Sequence, residues 1–414
     1  MRRIAVLDAP SNLGLRPPTG TSVPGCAKAP GALRDRGLIA RLGARDAGCV
    51  TPPRYDPGGW RPGDGVCHAP EIAAYSRTLA DRIAAIIDEG EFPVVLGGDC
   101  SVVLGSGLAM HRLGEAVGGR IGLVFVDGHS DFRHPGNASY VGAAAGEDLA
   151  LVTGRGQADL AAIEGRRPYF RDIDVVVLGI RDHDEYRLDL QAAGIVTRPV
   201  PMLRAEGAAR SAQWAREQLV DCAGYWVHVD VDVLDPAVMP AVDAPEPGGI
   251  AFPELELLLA GLVDTPHCLG VEITVFDPDY DPDGAYAAEI ADTLVAGLAP
   301  VADPHPDDHR RTRRADDEPE TAAAEAAEPE PEIEPQAEVE AEPEPEPEVE
   351  PWEPTQPHAH HGDLPSDEPG SFALPVAEPV HFDLDPPDAE PRPHRRTSAL
   401  DALTMPAQRT ATDS

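Results

Sequence analysis

Six short apolar runs, each bounded by Gly, Pro or Asp, punctuate residues 1–300: Ile4–Leu7, Pro93–Leu96, Ile121–Val126, Ile173–Ile180, Tyr225–Val231 and Leu269–Phe276. Their length and content of Val, Ile, Leu and Phe predict strands. Hydrophobicity within them is continuous rather than alternating, which marks strands covered on both faces and hence a parallel sheet. Between the first two runs, Ile72, Tyr75, Leu79, Ile83, Ile86 and Ile87 recur at steps of three or four and predict a helix that Gly90 stops. Ala208–Val220, Pro253–Val263 and Ala287–Leu298 predict further helices. Strands alternating with helices predict an α/β fold, a three-layer α/β/α domain around a mostly parallel sheet.

Beyond Ala299-Pro300 this pattern ends. Residues 301–414 carry 30 Asp and Glu against 8 Arg, a net of −22, compared with −17 over residues 1–300. From Asp316 to Trp352 the chain is almost wholly Glu, Pro and Ala, which cannot bury enough apolar area to offset the entropy of ordering. The expectation is a domain over 1–300 followed by a disordered, acidic, Pro/Glu/Ala-rich tail over 301–414, extended by self-repulsion. Two tail segments resemble a weak metal site (His358-Ala359-His360-His361) and a basophilic kinase site (Arg395-Arg396-Thr397-Ser398). Such segments are more often solvated, and neither enters the functional reading.

Charge narrows the partners. The 414 residues include 72 Asp and Glu against 33 Lys and Arg, a net of −39. That balance repels phosphate backbones and anionic bilayers, so neither nucleic acid nor a membrane surface is expected as a partner. No run reaches the roughly 18 apolar residues that span a bilayer. Ile4–Leu7, followed at once by Asp8, is too short for the apolar region of a signal peptide, and the expected compartment is the cytoplasm. The six cysteines lack CxxC spacing, which argues against a zinc ribbon or a disulfide framework.

In parallel α/β sheets, ligands gather beyond the carboxyl ends of the strands. Val94-Val95-Leu96 is followed by Gly97-Gly98-Asp99-Cys100-Ser101, Leu123–Val126 by Asp127-Gly128-His129-Ser130-Asp131, and Tyr225–Val229 by Asp230-Val231-Asp232-Val233-Leu234-Asp235-Pro236. In extended chain, positions i and i+2 share a face, so Asp127 with His129, His129 with Asp131, and Asp230 with Asp232 can converge. Carboxylates clustered at the end of a buried sheet raise each other's pKa unless a cation neutralises them. Either motif alone could be a capped or Asx-bonded turn. Together, each ending an apolar strand behind a Gly-Gly-Asp segment, they mark a metal constellation. An oxygen-rich set with one imidazole suits Mn²⁺, with Zn²⁺ and Fe²⁺ as competitors.

With these segments in order, the sequence resembles the ureohydrolase (arginase/agmatinase/formiminoglutamase) family over residues 4–298. Further matches are Ala29-Pro30-Gly31-Ala32-Leu33-Arg34, Gly179-Ile180-Arg181-Asp182-His183-Asp184 and Phe276-Asp277-Pro278. The resemblance implies a two-manganese site at the strand ends that hydrolyses a C–N bond of a guanidine or amidine. It implies that Asp127 and Asp230 bridge the ions, that His129 and Asp232 complete one, and that Asp131 completes the other. Cys100 stands where the family places a histidine ligand to that second ion. A small-molecule substrate and a homo-oligomer are implied as well.

Three positions depart from the family pattern. A thiolate at Cys100 favours Zn²⁺ or Fe²⁺, whereas a neutral thiol is a poor ligand. Either the second ion is bound through a thiolate, or it is weakly held and the site works with one. Ala145 replaces a proton-shuttling histidine just ahead of Gly146-Glu147-Asp148-Leu149, where the family has a Gly-Met-Pro-Leu-like segment. Val275 replaces the glutamate that holds a guanidinium, which removes bidentate recognition and makes arginine an unexpected substrate. Glu147 and Asp148 could take over the acid/base role, bind a cationic group, or merely start a helix. Arg133 and His134 could hold a substrate carboxylate or sit in a solvated loop. Asp184 lies where arginases recognise the amino-acid end of their substrate.

The expected reaction is attack on an sp² carbon bearing nitrogen by a water that the cations acidify. Asp131 accepts that water's hydrogen bond, and Glu147, Asp148 or His134 protonates the leaving amine. Two alternatives stay open. One is a single-metal amidohydrolase like the zinc deacetylases, which are similar in core fold and use an Asp/His/Asp set alone. The other is a non-catalytic metal-binding scaffold whose acidic tail recruits partners. Retention of every carboxylate of the metal set weighs for the enzyme, because buried acids are costly without a purpose.

Overall fold

The computed structural model describes residues 2–302 apart from 18, 20 and 21. The tail expected over 301–414 lies outside the described residues from 303 onward, with its His358–His361 and Arg395–Ser398 segments, while Val301 and Ala302 end a short helix of the domain. Among the described residues eight strands form one sheet: β1 (Ile4–Ala9), β2 (Arg45–Cys49), β3 (Phe92–Gly97), β4 (Ile121–Val126), β5 (Val175–Leu178), β6 (Val196–Arg198), β7 (Gly224–Asp230) and β8 (Cys268–Thr274). Their order is β2-β1-β3-β8-β7-β4-β5-β6, and every pairing is parallel. The α/β/α architecture expected from the apolar runs is the one observed.

Alternate residues of each central strand feed two cores. Val124, Val126, Val176, Leu178, Val227 and Val229 point into one, against the helices Ala208–Gln218, Phe252–Val263 and Ala285–Gly297. Leu123, Phe125, Val175, Val177 and Trp226 point into the other, against the helices Ala69–Asp88 and Val103–Val117. Both faces being covered accounts for the unbroken apolar runs. Among the described residues no helix is long and apolar enough to cross a membrane.

The elements that sequence patterning missed are instructive. Strands β2 and β6 are the edges of the sheet; only Ala47 of β2 is buried, and β6 has three residues. A strand with one neighbour and a wet face needs no apolar run. Val103–Val117 carries three glycines, which lower its helical signal. Gly105 lets the two helices approach closely, since a Cβ there would lie 2.9 Å from Leu79 Cδ2 of the facing helix. The run beginning at Ile173 starts late, since Ile173 is exposed in the turn that precedes β5.

Candidate metal centre

The strand order sets the carboxyl ends of β3, β8, β7, β4 and β5 side by side, so the loops that follow them face one another. After β3 the chain turns at Gly98, where a Cβ would fall 1.7 Å from the Ser11 carbonyl oxygen. Asp99 is fully buried and fixes this turn, accepting from Ser11 Oγ at 2.7 Å and from the Ser101 amide at 2.8 Å. Cys100 is thereby carried inward, and its Sγ donates to Asp230 Oδ2 at 2.9 Å. After β4, Asp127 Oδ1 accepts the His129 amide at 2.7 Å. After β7, Asp230 Oδ1 accepts the Asp232 amide at 2.7 Å, and Asp232 Oδ1 accepts the Gly128 amide at 3.1 Å. His129 Nδ1 lies 2.9 Å from Asp232 Oδ2.

Two groups of candidate ligands result. Asp127, His129 and Asp232 offer donor atoms all within 4.8 Å of one another, and so do Cys100, Asp131 and Asp148. Asp230 links them, bonded to Cys100 on one side and to the Asp232 amide on the other. Cys100, His129, Asp131, Asp230 and Asp232 line the floor of a cavity of about 800 Å³. Buried oxygens without a hydrogen-bond partner include Asp127 Oδ2 and both carboxylate oxygens of Asp148. Buried acceptors left unpaired inside a ring of acids are what a divalent cation would satisfy, so the donor set fits the implied ions.

A family model for the arginase family matches residues 2–299. The chain belongs to the arginase family. It is 28% identical over 290 residues to an arginase of Agrobacterium fabrum, covering 68% of this chain and 87% of that one. It is also 28% identical over 298 residues to a formimidoylglutamase of Aeromonas salmonicida, covering 68% and 88%. The solved arginase of Bacillus caldovelox has the same fold, with a TM-score of 0.63 at 23% identity over 72% of this chain and 99% of that one.

In this arginase-family site the electrostatics are those of an acid cluster. Burial, then repulsion from Asp232, Asp131 and Asp230, holds Asp127 well above the usual carboxylate range. Burial and neighbouring acids raise Asp148 and Asp230 in the same way. Asp131 is pushed up to about 7, mainly by burial. Burial lowers His129, but the charges of Asp232, Asp131 and Asp230 outweigh it and set the imidazole at about 10. Asp232 goes the other way: burial would raise it, and the His129 charge and hydrogen bond bring it below its ordinary value. Burial and the surrounding acids raise Cys100 well above an ordinary thiol, which keeps its proton on sulfur toward Asp230.

The other sequence-predicted residues divide. Arg133 and Asp184 reach the cavity wall; Asp184 accepts the Ser130 amide at 2.9 Å, and Arg133 Nε lies 3.3 Å from the Tyr186 hydroxyl. Asp148 lies beneath the floor with Cys100 and Asp131. Glu147 is turned onto its own loop, where Oε1 accepts the amides of Gly142 and Ala143. His134 lies off the cavity lining, edge-on to Phe132, with Nδ1 accepting the Gly136 amide at 3.0 Å. Ala145 and Val275, the two departures, both line the cavity, and Val275 holds a φ of 73° that few β-branched residues adopt.

Three contributors went unread in the sequence. Glu246 spans two imidazoles at the cavity wall, 3.3 Å from His129 Nε2 and 2.8 Å from His183 Nε2. Arg16 lines the mouth, stacked over Tyr140 at 4.2 Å. Arg181 is 2% exposed and donates to the carbonyls of Asp232 at 2.9 Å, Val233 at 3.3 Å and Glu246 at 2.7 Å. An acid beside Pro-Gly-Gly and an arginine inside a matched segment were the available signals. Neither indicates a contact 117 residues away, as for Glu246 with His129, or 51 residues away, as for Arg181 with Asp232.

Proposed function

We propose that this arginase-family chain is a binuclear, manganese-dependent hydrolase of linear amidines that carry a carboxylate, and that arginine is not its substrate. The observation that carries this reading is the pair of candidate ligand groups at the floor of one cavity whose wall has Val275 in place of a glutamate. An apolar wall cannot pair a guanidinium in a fork. Arg16 and Arg133 at the same cavity are suited to a substrate carboxylate. Similarity to a formimidoylglutamase supports an amidine of this class.

Asp127, His129, Asp230 and Asp232 would hold one cation, and Asp127, Asp131 and Asp230 would contribute to the second. When bound, the cations supply Lewis acidity that lowers the pKa of water toward neutrality and offsets negative charge developing on the substrate. Asp131 provides an acceptor at the floor that aims the attacking water. Water adds to the amidine carbon, the C–N bond to the amino-acid nitrogen breaks, and the products are an amide and a free amine. That amine needs a proton. The Glu246 and His183 pair, which faces the cavity, is better placed to deliver it than Glu147 or His134.

The test pairs metal content with turnover. Protein reconstituted with Mn²⁺ is expected to release formamide from N-formimino amino acids and no urea from arginine. Asp127→Ala is expected to lose both metal and turnover. Two bound Mn²⁺ per chain with no hydrolysis across formimino, acetamidino and guanidino acids would refute the reading in favour of a scaffold.

A further inference from the structure

Asp148 stands out among the described residues because its side chain is fully buried and neither carboxylate oxygen has a hydrogen-bond partner. No cationic side chain pairs with it among those residues, and the acids around it are Asp131, Asp230 and Asp99. A buried carboxyl group in that setting either keeps its proton or takes a cation, and a divalent ion is the partner that would use both free oxygens. One of its oxygens lies within 4.8 Å of donor atoms of both Cys100 and Asp131. Its segment is not free to swing away. The Ala150 amide donates to the Asp131 carbonyl at 3.2 Å, the Ala145 amide donates to the Gly14 carbonyl at 3.1 Å, and Leu149, Ala150, Leu151 and Val152 are buried.

We propose that Asp148 is a ligand of the second cation and replaces the donor lost where Cys100 stands at the family's histidine position. The inference rests on the binuclear reading above. A thiol that donates its proton to Asp230 is a weak donor. An anionic oxygen arriving from a different loop restores a hard, oxygen-rich set and keeps the site suited to Mn²⁺. Two departures from the family pattern, a cysteine at 100 and an aspartate within the Gly-Met-Pro-Leu-like segment, are thus one change in two places. Asp148 becomes a structural partner of the ion and leaves the acid/base role to groups that face the cavity.

The test uses the full-length chain, stripped with chelator and reloaded with Mn²⁺ alone. Bound Mn²⁺ is counted by elemental analysis, and the spin-coupled dimanganese signal is followed by electron paramagnetic resonance. Wild type is expected to hold two ions with a coupled signal. Asp148→Asn is expected to hold one ion with an uncoupled signal, its second site weakened at least tenfold. The metal-free variant is expected to melt no lower than metal-free wild type, since a buried carboxyl group without a hydrogen-bond partner has been replaced by an isosteric neutral amide; Asp148→Ser guards against an effect peculiar to the amide. Two ions with wild-type affinity and a coupled signal in both variants would overturn the assignment of Asp148 while leaving the binuclear reading intact. One ion or none in wild type would overturn both.

Discussion

Stripping the metal should make the fold more stable in acid than in base over the range where most proteins change little. In the metal-free protein Asp131 titrates near 7, against 3.8 for an unperturbed aspartate, and His129 near 10, against 6.5. Between 3.8 and about 7 the folded state holds a proton on Asp131 that the unfolded state has released. Stability falls as pH rises through that interval. For His129, the contribution is complete below 6.5 and is lost as pH climbs toward 10, so the two groups act in the same direction. A rise of the size seen at Asp131 corresponds to about 4 kcal/mol. Because each group feels the other's charge, we take one shift and not the sum as the scale, and partial solvent access trims it to about 2–4 kcal/mol. The assay is urea unfolding of chelator-treated protein at pH 5, 7 and 9, with Asp131→Asn beside wild type. That variant changes the net charge of −39 by a single unit, so general self-repulsion cancels in the comparison. Wild type should lose stability across the series, and the variant should lose markedly less between pH 5 and 7. With saturating Mn²⁺ the slope should flatten or reverse, because cations displace these protons. Metal-free wild type whose stability is level or rises from pH 5 to 9 would refute the reasoning.

Two further outcomes follow from other contacts. Arg181→Met should cost about 3–5 kcal/mol in chemical denaturation, because it removes a buried cation from the carbonyls of Asp232, Val233 and Glu246. It should also weaken Mn²⁺ binding in calorimetry, since Asp232 is a candidate ligand. Val275→Glu should raise kcat/KM for a guanidine relative to an amidine at least tenfold, about 1.4 kcal/mol, read from urea and amide release on matched substrates.

What could be read from the sequence follows burial. Residues such as Val124, Phe125, Val227 and Val229 lie on central strands between two layers, where nearly every position is apolar and the buried His228 and Glu272 are paired at 2.8 Å, so the runs announce themselves. The edge strand Arg45–Cys49 gains its place from one neighbour and from ion pairs such as Arg34 with Asp46, which leave no periodic trace. At the site, Asp127, His129, Asp230 and Asp232 were legible as candidates because strand ends carry them in i, i+2 pairs. Asp148 was visible as an unusual acid, but what surrounds it depends on how residues 142–148 fold back beneath the floor, which no local pattern encodes. Glu246 and Arg181 act across 117 and about 50 residues of chain, on an imidazole and on main-chain oxygens respectively. Spacing rules describe neither kind of contact.

Arg181 grips the loop after β7 by its carbonyl oxygens, and every residue type presents the same oxygen. The clamp is therefore indifferent to which side chains that loop carries from Val233 to Glu246. Substitutions there can reshape the cavity wall while Asp230 stays paired with Thr274 of β8 and its Oδ1 holds the Asp232 amide. A lineage can in this way explore new substrates one loop residue at a time without passing through forms that have lost their ions. The anchor is written in the main chain, and the variable lettering is left to the side chains that meet the ligand.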